Sequence, residues 1–313
     1  MTVPKALRLD DRSVITVAGE DRLSFLQGLV SNDVRRVTAG RAIYAALLTA
    51  QGKYLFDFFI VDAGDALWLD CEAARADALV RRLGIYRLRA DVTITPLSDG
   101  FTVVAGFGPG AAAAVGLAGA DSGAAVALAH GVAFLDPRLP AAGLRCLLPA
   151  GDVPAFLADH GLAPASRDDF ERHRLSLGLP DGSRDLIVER SLLLECGFDE
   201  LNGVDWHKGC YVGQEVTARS KHRGLIRKRL VPVRLTGPLP SPGTPILQGE
   251  RTVGEIRSGI EGMALALVQL DALALAQEGS PESDLRAGES RVMAEVPEWV
   301  QLADRPQRPG LSR

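Results

Sequence analysis

At 313 residues the chain is longer than one ordinary domain, and its 47% hydrophobic content is ample for a core beside an ordinary 24% of charged residues. A net charge of −4 and a pI of about 5.8 argue against a general polyanion binder. The start, MTVPKALRLDDRSVITV, lacks the apolar core of a signal peptide, and no uninterrupted apolar run reaches the ~18–20 residues of a membrane helix; the nearest, GMALALVQLDALALA, is cut by Gln269 and Asp271. A cytoplasmic protein with no membrane partner is the expectation.

In chain order, SVITVAG reads as a strand ending at Gly19. EDRLSFLQGLV sets Leu23, Leu26, Leu29 and Val30 at helical spacing with Phe25 beside them, and SND breaks that helix with turn formers. AIYAALLT, a turn at AQGK and YLFDFFIVDAG form a hairpin of two largely buried strands, and ALWLD continues the sheet. Residues 72–83 form an amphipathic helix expected to stop before Gly84. DVTITPL, FTVVAGF, VAFLD and LRCLLP are short strands, and the Ala/Gly-rich stretch 109–127 is a weak helix or a loop. DVPAFLADHG and SRDDFERHRLSLGLP are helices, the second with Ser166 as N-cap and two aspartates in its first turn. After Arg229 the character changes: LVPVRLTGPLPSPGTPILQGERTVGEIRSG is short strands punctuated by Pro and Gly, the pattern of a small β-barrel or sandwich. The expected organisation is an α+β body over 1–228, a β-rich module over 229–300 and a disordered tail over 301–313.

The four cysteines, Cys71, Cys146, Cys196 and Cys210, show no C-x-x-C pair and no zinc or ferredoxin spacing, so free thiols are expected and no one segment holds a metal. Cys210 stands out within DWHKGCYVGQEVTARSKHRGLIRKR, just before the change of character and so near a junction where ligand sites concentrate. Val212 and Val216 can face inward, Glu215 and Arg219 form an i,i+4 pair in the favoured order, and Gly224 caps a helix whose last turn holds Lys221, His222 and Arg223. Cys210 then lies at or just before the helix N-terminus, where the dipole and Lys208 favour a thiolate; a small, inert, buried cysteine is the alternative. The run Arg219–Arg229 is a solvated helix end or an anion site, and without interleaved aromatics it argues against direct nucleic-acid binding.

Two carboxylates draw notice. Alternation places Asp57 with Leu55, Phe59 and Val61 on one apolar face, where a buried carboxylate needs a structural partner or a ligand. Glu195 follows the apolar run SLLL, as a solvated strand end or a pocket group. The sequence has no H-E-x-x-H, G-x-S-x-G, P-loop or G-x-G-x-x-G.

KGCYVGQE, followed by AR and RG, resembles the signature of the YgfZ-type folate-binding proteins, relatives of the aminomethyltransferase (T protein) of the glycine cleavage system. FLQGLVSNDV, YAALLTAQGKYLFDFFIV, RLRADVTI and VGEIRSGIEGMALALV resemble further segments of that family, so the resemblance runs from about Asp21 to Leu267, diffuse between about Phe101 and Leu162. It implies an α+β fold built as a three-part ring around a central folate pocket, with a C-terminal β-barrel. Tetrahydrofolate, or a one-carbon derivative, is the implied ligand. Asp57 falls on the aspartate that serves near the folate nitrogens, and Glu195 on the glutamate that holds the pterin. Cys210 becomes the functional thiol with Lys208 lowering its pKa; Gln214 and Glu215 shape the loop or touch ligand and partner; Arg219 and Arg223 hold the folate tail or an acidic partner. The aminomethyltransferases usually carry two adjacent aspartates where this chain has Phe56-Asp57, and they lack the cysteine signature. The implied function is therefore a folate-binding accessory factor for iron–sulfur cluster assembly or repair. Its partners would be assembly proteins or 4Fe–4S client enzymes, among them enzymes of tRNA modification. A folate-dependent aminomethyl- or methyltransferase is the alternative.

Overall fold

A computed structural model describes residues 3–97, 100–224, 226–277 and 284–301. Three β-systems share the chain. The first is an antiparallel five-stranded sheet in the order Ile43–Leu48, Tyr54–Asp62, Ala66–Glu72, Arg12–Ala18, Thr93–Pro96. The second has six strands, Ala163–Pro164, Lys5–Leu9, Phe101–Phe107, Leu144–Pro149, Gly131–Leu135, Ala125–Leu128. The third is a closed six-stranded barrel, Lys228–Thr236, Met263–Gln269, Arg251–Ile260, Pro245–Gln248, Leu285–Ala287, Ser290–Ala294, which is the β-module expected from the Pro/Gly-punctuated sequence. Closure leaves the barrel without a free edge. The mixed α/β architecture with its terminal barrel agrees with the expected fold class.

One apolar cluster ties the three systems together. Tyr44 and Phe59 come from the first sheet, Phe134 and Leu147 from the second, Leu175 from the helix Arg167–Ser176, and Leu230 and Leu265 from the barrel. The far face of the first sheet packs Phe58 and Ile60 on Leu26, Leu79 and Leu83 from the helices Arg22–Gln27 and Ala76–Arg87. Ser166 caps its helix, as read from the sequence, and the structure adds the reciprocal bond from Asp169 that completes a capping box.

Three local expectations change. The strand Lys5–Leu9 was not anticipated. The helix expected over 72–83 begins as a 3₁₀ turn at Ala73–Arg75 and runs through Gly84 to Arg87. Gly84 has nothing within 4 Å of where a Cβ would stand, so no close approach requires it, and Tyr86 carries the packing one turn further. The stretch 109–127 yields one short helix, Ala111–Ala114, and then the edge strand Ala125–Leu128 begins inside it. From residue 302 onward the expected tail lies outside the described residues.

Candidate functional site

Cys210 is exposed, while Cys71, Cys146 and Cys196 are buried. Burial pushes the Cys71 and Cys196 thiols up to about 12, and Cys146 higher still than its ordinary value. The only solvent-facing thiol is therefore the one singled out by sequence.

Its loop is held rigidly. The Lys208 ammonium donates to the carbonyls of Gln27 (2.9 Å), Asn32 (2.8 Å) and Val30, around the C-terminal end of the helix Arg22–Gln27. Burial, slightly opposed by Asp33 and Asp205, brings Lys208 down to about 8. Lys208 thus differs from its expected role: its charge is committed to three backbone oxygens and to the Tyr211 ring 5.0 Å away, so it anchors the loop. Asp205 Oδ1 accepts from the N–H groups of His207 (2.7 Å) and Lys208 (3.1 Å), closing an Asx-type turn. Gln214 Oε1 accepts from Tyr211 N–H at 3.1 Å, a bond across the turn between the loop and its helix.

Gly213 explains the second glycine of the motif. It has φ +80°, and a Cβ there would lie 2.3 Å from the Thr49 carbonyl oxygen. Gly52 returns the contact, since its Cβ would come within 2.8 Å of Gly213 O. The tip of the hairpin and the Cys210 loop therefore meet backbone to backbone. Ser31 and Asn32, read from sequence only as turn formers, are the buried hub of the same assembly. Ser31 Oγ donates to Gly203 O (2.6 Å) and accepts from Ala46 N–H (2.9 Å). Asn32 Nδ2 donates to the carbonyls of Tyr44 (2.7 Å) and Asn202 (2.8 Å). The one available signal was two polar residues wedged between apolar runs.

The helix begins only at Gln214, with Gly213 as its N-cap, and runs to His222. Cys210 therefore lies four residues ahead of it on the loop instead of at its N-terminus, because Gly213 turns the chain at φ +80° first. Gly224 at φ +59° lies just beyond the other end, in agreement with the cap read from sequence. Glu215 and Arg219 form their i,i+4 ion pair in solvent. Arg223 is exposed with no ion pair among the described residues. Arg229, at the end of the charge run, is instead fully buried, donating to Leu194 O and Glu200, and so locks the barrel's first strand to the body. Lys221 pairs with Asp199 and lies over the Trp206 ring. The outer face of this helix and the loop bound an open cleft of about 710 Å³ whose rim presents Cys210, His207, His222, Trp206 and Lys221. The inner face, with Thr217 and Ser220, walls a second, much smaller cavity lined by Glu195.

Glu195 sits on the 3₁₀ turn Leu193–Cys196 rather than at a strand end. It is half-buried, and desolvation raises its pKa although Lys228, Lys53 and Arg257 pull the other way. Its carboxylate accepts no hydrogen bond among the described residues, so its oxygens are available.

Asp57 lies deeper, 6% exposed. Tyr44 and Tyr54 hydroxyls donate to its Oδ2 and Oδ1 at 2.8 and 2.7 Å. A register shift between Leu47 and Leu48 makes this possible: Leu48 pairs with Tyr54 and Leu47 with Phe56, so Leu55 is the extra residue of a bulge. Tyr54 is thereby brought to the face of Asp57, three residues on, while Leu55 joins the opposite core. This corrects the simple alternation, which had placed Leu55 beside Asp57. Tyr44 is the diagonal neighbour of Asp57 across the pair Ala46–Asp57. Desolvation raises the Asp57 pKa against the pull of Arg12 and the two tyrosines. Below it, Arg12 and Arg145 both bind Asp70 at 2.7 Å, Arg138 binds Asp136 at 2.8 Å, and the Phe59 ring lies 4.1 Å from the Arg145 guanidinium.

Among the described residues no group of three or more His, Cys, Asp or Glu is arranged to hold a metal ion, and no helix is long and apolar enough to cross a membrane.

The comparisons with known proteins agree with this architecture. Residues 10–126 match the GCVT N-terminal domain, and residues 227–302 match the CAF17 C-terminal beta-barrel domain. The crystal structure of the glycine cleavage system aminomethyltransferase T from Bartonella henselae shares the fold with a TM-score of 0.74 at 16% identity, covering 94% of this chain and 85% of that one. The human mitochondrial iron–sulfur cluster assembly factor IBA57 is 34% identical over 313 residues, covering 93% of this chain and 84% of the human protein. The mouse protein of that name is 32% identical over 93% of this chain and 84% of its own length. The Aspergillus fumigatus homolog is 30% identical over 94% of this chain and 81% of its own. All three relatives are mitochondrial proteins, which overturns the cytoplasmic placement expected from the sequence. The YgfZ type, on which the resemblance rested, is a related family rather than the specific one. The chain belongs to the family of the iron–sulfur cluster assembly factor IBA57.

Proposed function

We propose that this protein acts in iron–sulfur cluster assembly, with Cys210 as the thiol that meets the cluster or its carrier. One observation carries the reading: Cys210 is the exposed cysteine, on a loop immobilised by Lys208 and Gly213 at the rim of an open cleft, while the other three thiols are buried. A thiol that met its partner by chance would not need a loop built to this rigidity. With no set of three ligands of its own among the described residues, the protein would contribute one sulfur to a cluster whose remaining ligands come from an assembly partner or client enzyme. Membership of the IBA57 family supports the assembly role.

Tetrahydrofolate is the proposed ligand of the body, as the likeness to the GCVT domain suggests. Glu195 fits a pterin ring best: its carboxylate is half-buried, cation-flanked and free to accept ring N–H groups. Asp57 fits as a support one layer deeper, since both of its oxygens already accept from tyrosines. When bound, the folate would supply one-carbon or redox chemistry. The raised pKa of Asp57 is the one feature that favours the alternative, an aminomethyl- or methyltransferase using it as an acid.

The test is complementation of a strain lacking the gene, read out as the activity of a 4Fe–4S enzyme. Cys210→Ala should fail to restore it while accumulating to wild-type level; full restoration would remove the thiol from the function. In parallel, anaerobic calorimetry with tetrahydrofolate should give binding that Glu195→Gln weakens and Cys210→Ala leaves intact.

A further inference from the structure

The helix on the far face of the first sheet carries a surface that the Cys210 site does not use. From Ala78 to Ala90 the chain holds Arg81, Arg82, Arg87 and Arg89 and no acidic residue, against a net charge of −4 for the whole protein. None of the four arginines has an ion pair among the described residues. In the same segment Ile85 is 64% and Leu88 90% exposed, the two highest values among the exposed large apolar residues described. Their arrangement is regular. Leu79 and Leu83 bury the inner face of the helix Ala76–Arg87 against the sheet. Arg81 and Ile85 are four apart on the outer face, and Arg82 and Ile85 three apart, so the guanidiniums flank the isoleucine. Leu88 then leaves the helix at φ +44°, a conformation leucine rarely adopts, with its side chain in solvent.

We infer that this face docks a protein partner through an acidic helix or strand whose carboxylates flank one or two apolar side chains. The charge pattern selects that occupant. Each guanidinium is a planar fork suited to a carboxylate, and arginines around an apolar centre are typical of interface hot spots. A membrane surface suits the face less well, because the helix has spent its apolar side on the protein core and leaves only two large side chains to insert. The surface is independent of the proposed thiol chemistry and stands or falls without it.

The test uses the full chain and a fluorescent synthetic helical peptide with glutamates surrounding two leucines. Its counterpart with glutamines in place of the glutamates, and vesicles of neutral lipid with one-third anionic lipid, serve as controls. The acidic peptide should bind, and raised salt should weaken it. Arg81→Gln/Arg82→Gln/Arg89→Gln should weaken it roughly tenfold or more, as should Ile85→Ser, with the unfolding midpoint unchanged because Arg81, Ile85 and Arg89 are exposed and half-buried Arg82 has no ion pair among the described residues. A lysine version of the peptide should bind Arg81→Glu/Arg82→Glu/Arg89→Glu in its place. No binding of the acidic peptide, binding indifferent to these substitutions, or binding to anionic vesicles alone would overturn the inference.

Discussion

The loop that carries Cys210 and the strand that carries Asp57 both hold a chemically capable side chain among polar neighbours, but they direct those neighbours differently. Around Cys210 the polar groups bind backbone: Lys208 to three carbonyls, Ser31 and Asn32 to five backbone groups, Asp205 to two N–H groups. They fix the path of the chain and leave the thiol itself in solvent. Around Asp57 the polar groups bind the carboxylate, and a layer of buried ion pairs lies beneath. One region is built to present a group, the other to contain one. A site residue read from sequence is therefore informative only once its neighbours are assigned to backbone or to side chain.

Acid should have the largest effect, and it should act within the region that contains Asp57, setting the buried ion pairs against the carboxylate above them. Burial pushes Asp136 up, but Arg138 and Arg145 more than reverse it, leaving its pKa below the ordinary 3.8; Glu171 is likewise raised by burial and brought below 4.5 by Arg174 and Arg184. A lowered folded-state pKa means that the unfolded chain takes up protons first. The stability these groups contribute is present above about pH 4.5 and is lost as pH falls through their folded-state values. Asp57 has the opposite sign: its raised pKa means that its contribution is fullest below 3.8 and declines as pH rises through the folded-state value. Urea unfolding followed from pH 7 down to pH 3 should show cooperative loss of stability on the acid side, and Asp57→Asn should steepen the loss by removing the opposing trend. A flat profile would mean that the buried pairs do not differ between the folded and unfolded chain.

Lys208→Met comes next. It leaves the carbonyls of Gln27, Val30 and Asn32 without their donor at the end of a helix, at a cost of about 2–4 kcal/mol in urea unfolding. Relief from burying an ammonium brought down to about 8 offsets part of that loss. A change below 0.5 kcal/mol would show that the loop is not pinned there. At Asp57 the choice of substituent matters more than the loss of charge. Asp57→Ala strands two buried tyrosine hydroxyls and should cost about 2–4 kcal/mol, whereas Asp57→Asn can still accept from one and donate to the other, and should cost under about 1 kcal/mol. Equal costs would mean that the ionised carboxylate itself holds the site together.

Much of this was legible beforehand, and the misses have physical causes. The hairpin, the capped helix Arg167–Ser176 and the barrel announce themselves through continuous apolar runs around a turn, an N-cap serine with first-turn aspartates, and Pro/Gly punctuation, all of which are local signals. The motif around Cys210 was equally local, including the glycine that ends the following helix, but the helix starts three residues later than its apolar spacing suggests because Gly213 turns the chain first. What alternation does not reveal is a bulge. Leu55 was assigned to the wrong face because one unpaired residue shifts everything before it, and with that error the Tyr54–Asp57 contact was invisible. The target of Lys208 was hidden for another reason. Its three acceptors are main-chain oxygens about 180 residues away in sequence, and backbone carbonyls look alike at every position.

The smallest expected effect on stability is the most discriminating. Cys210 is exposed, and the described loop is held by Lys208, Asp205, Gln214 and Gly213, none of which uses the sulfur. Cys210→Ser should therefore change the unfolding free energy by no more than about 0.5 kcal/mol. If the thiol serves the pathway, the same substitution should abolish support of 4Fe–4S enzymes, because a serine hydroxyl stays protonated where a thiol can supply the thiolate that binds iron. Stability and output would then part completely at one atom. Lys208→Met should lower both together, since it reaches the thiol only through the loop. If Cys210→Ser instead destabilised the fold while the surviving folded protein kept full output, the rigid loop would exist for a neighbour on the cleft rim, with Trp206 and Lys221 the first to examine.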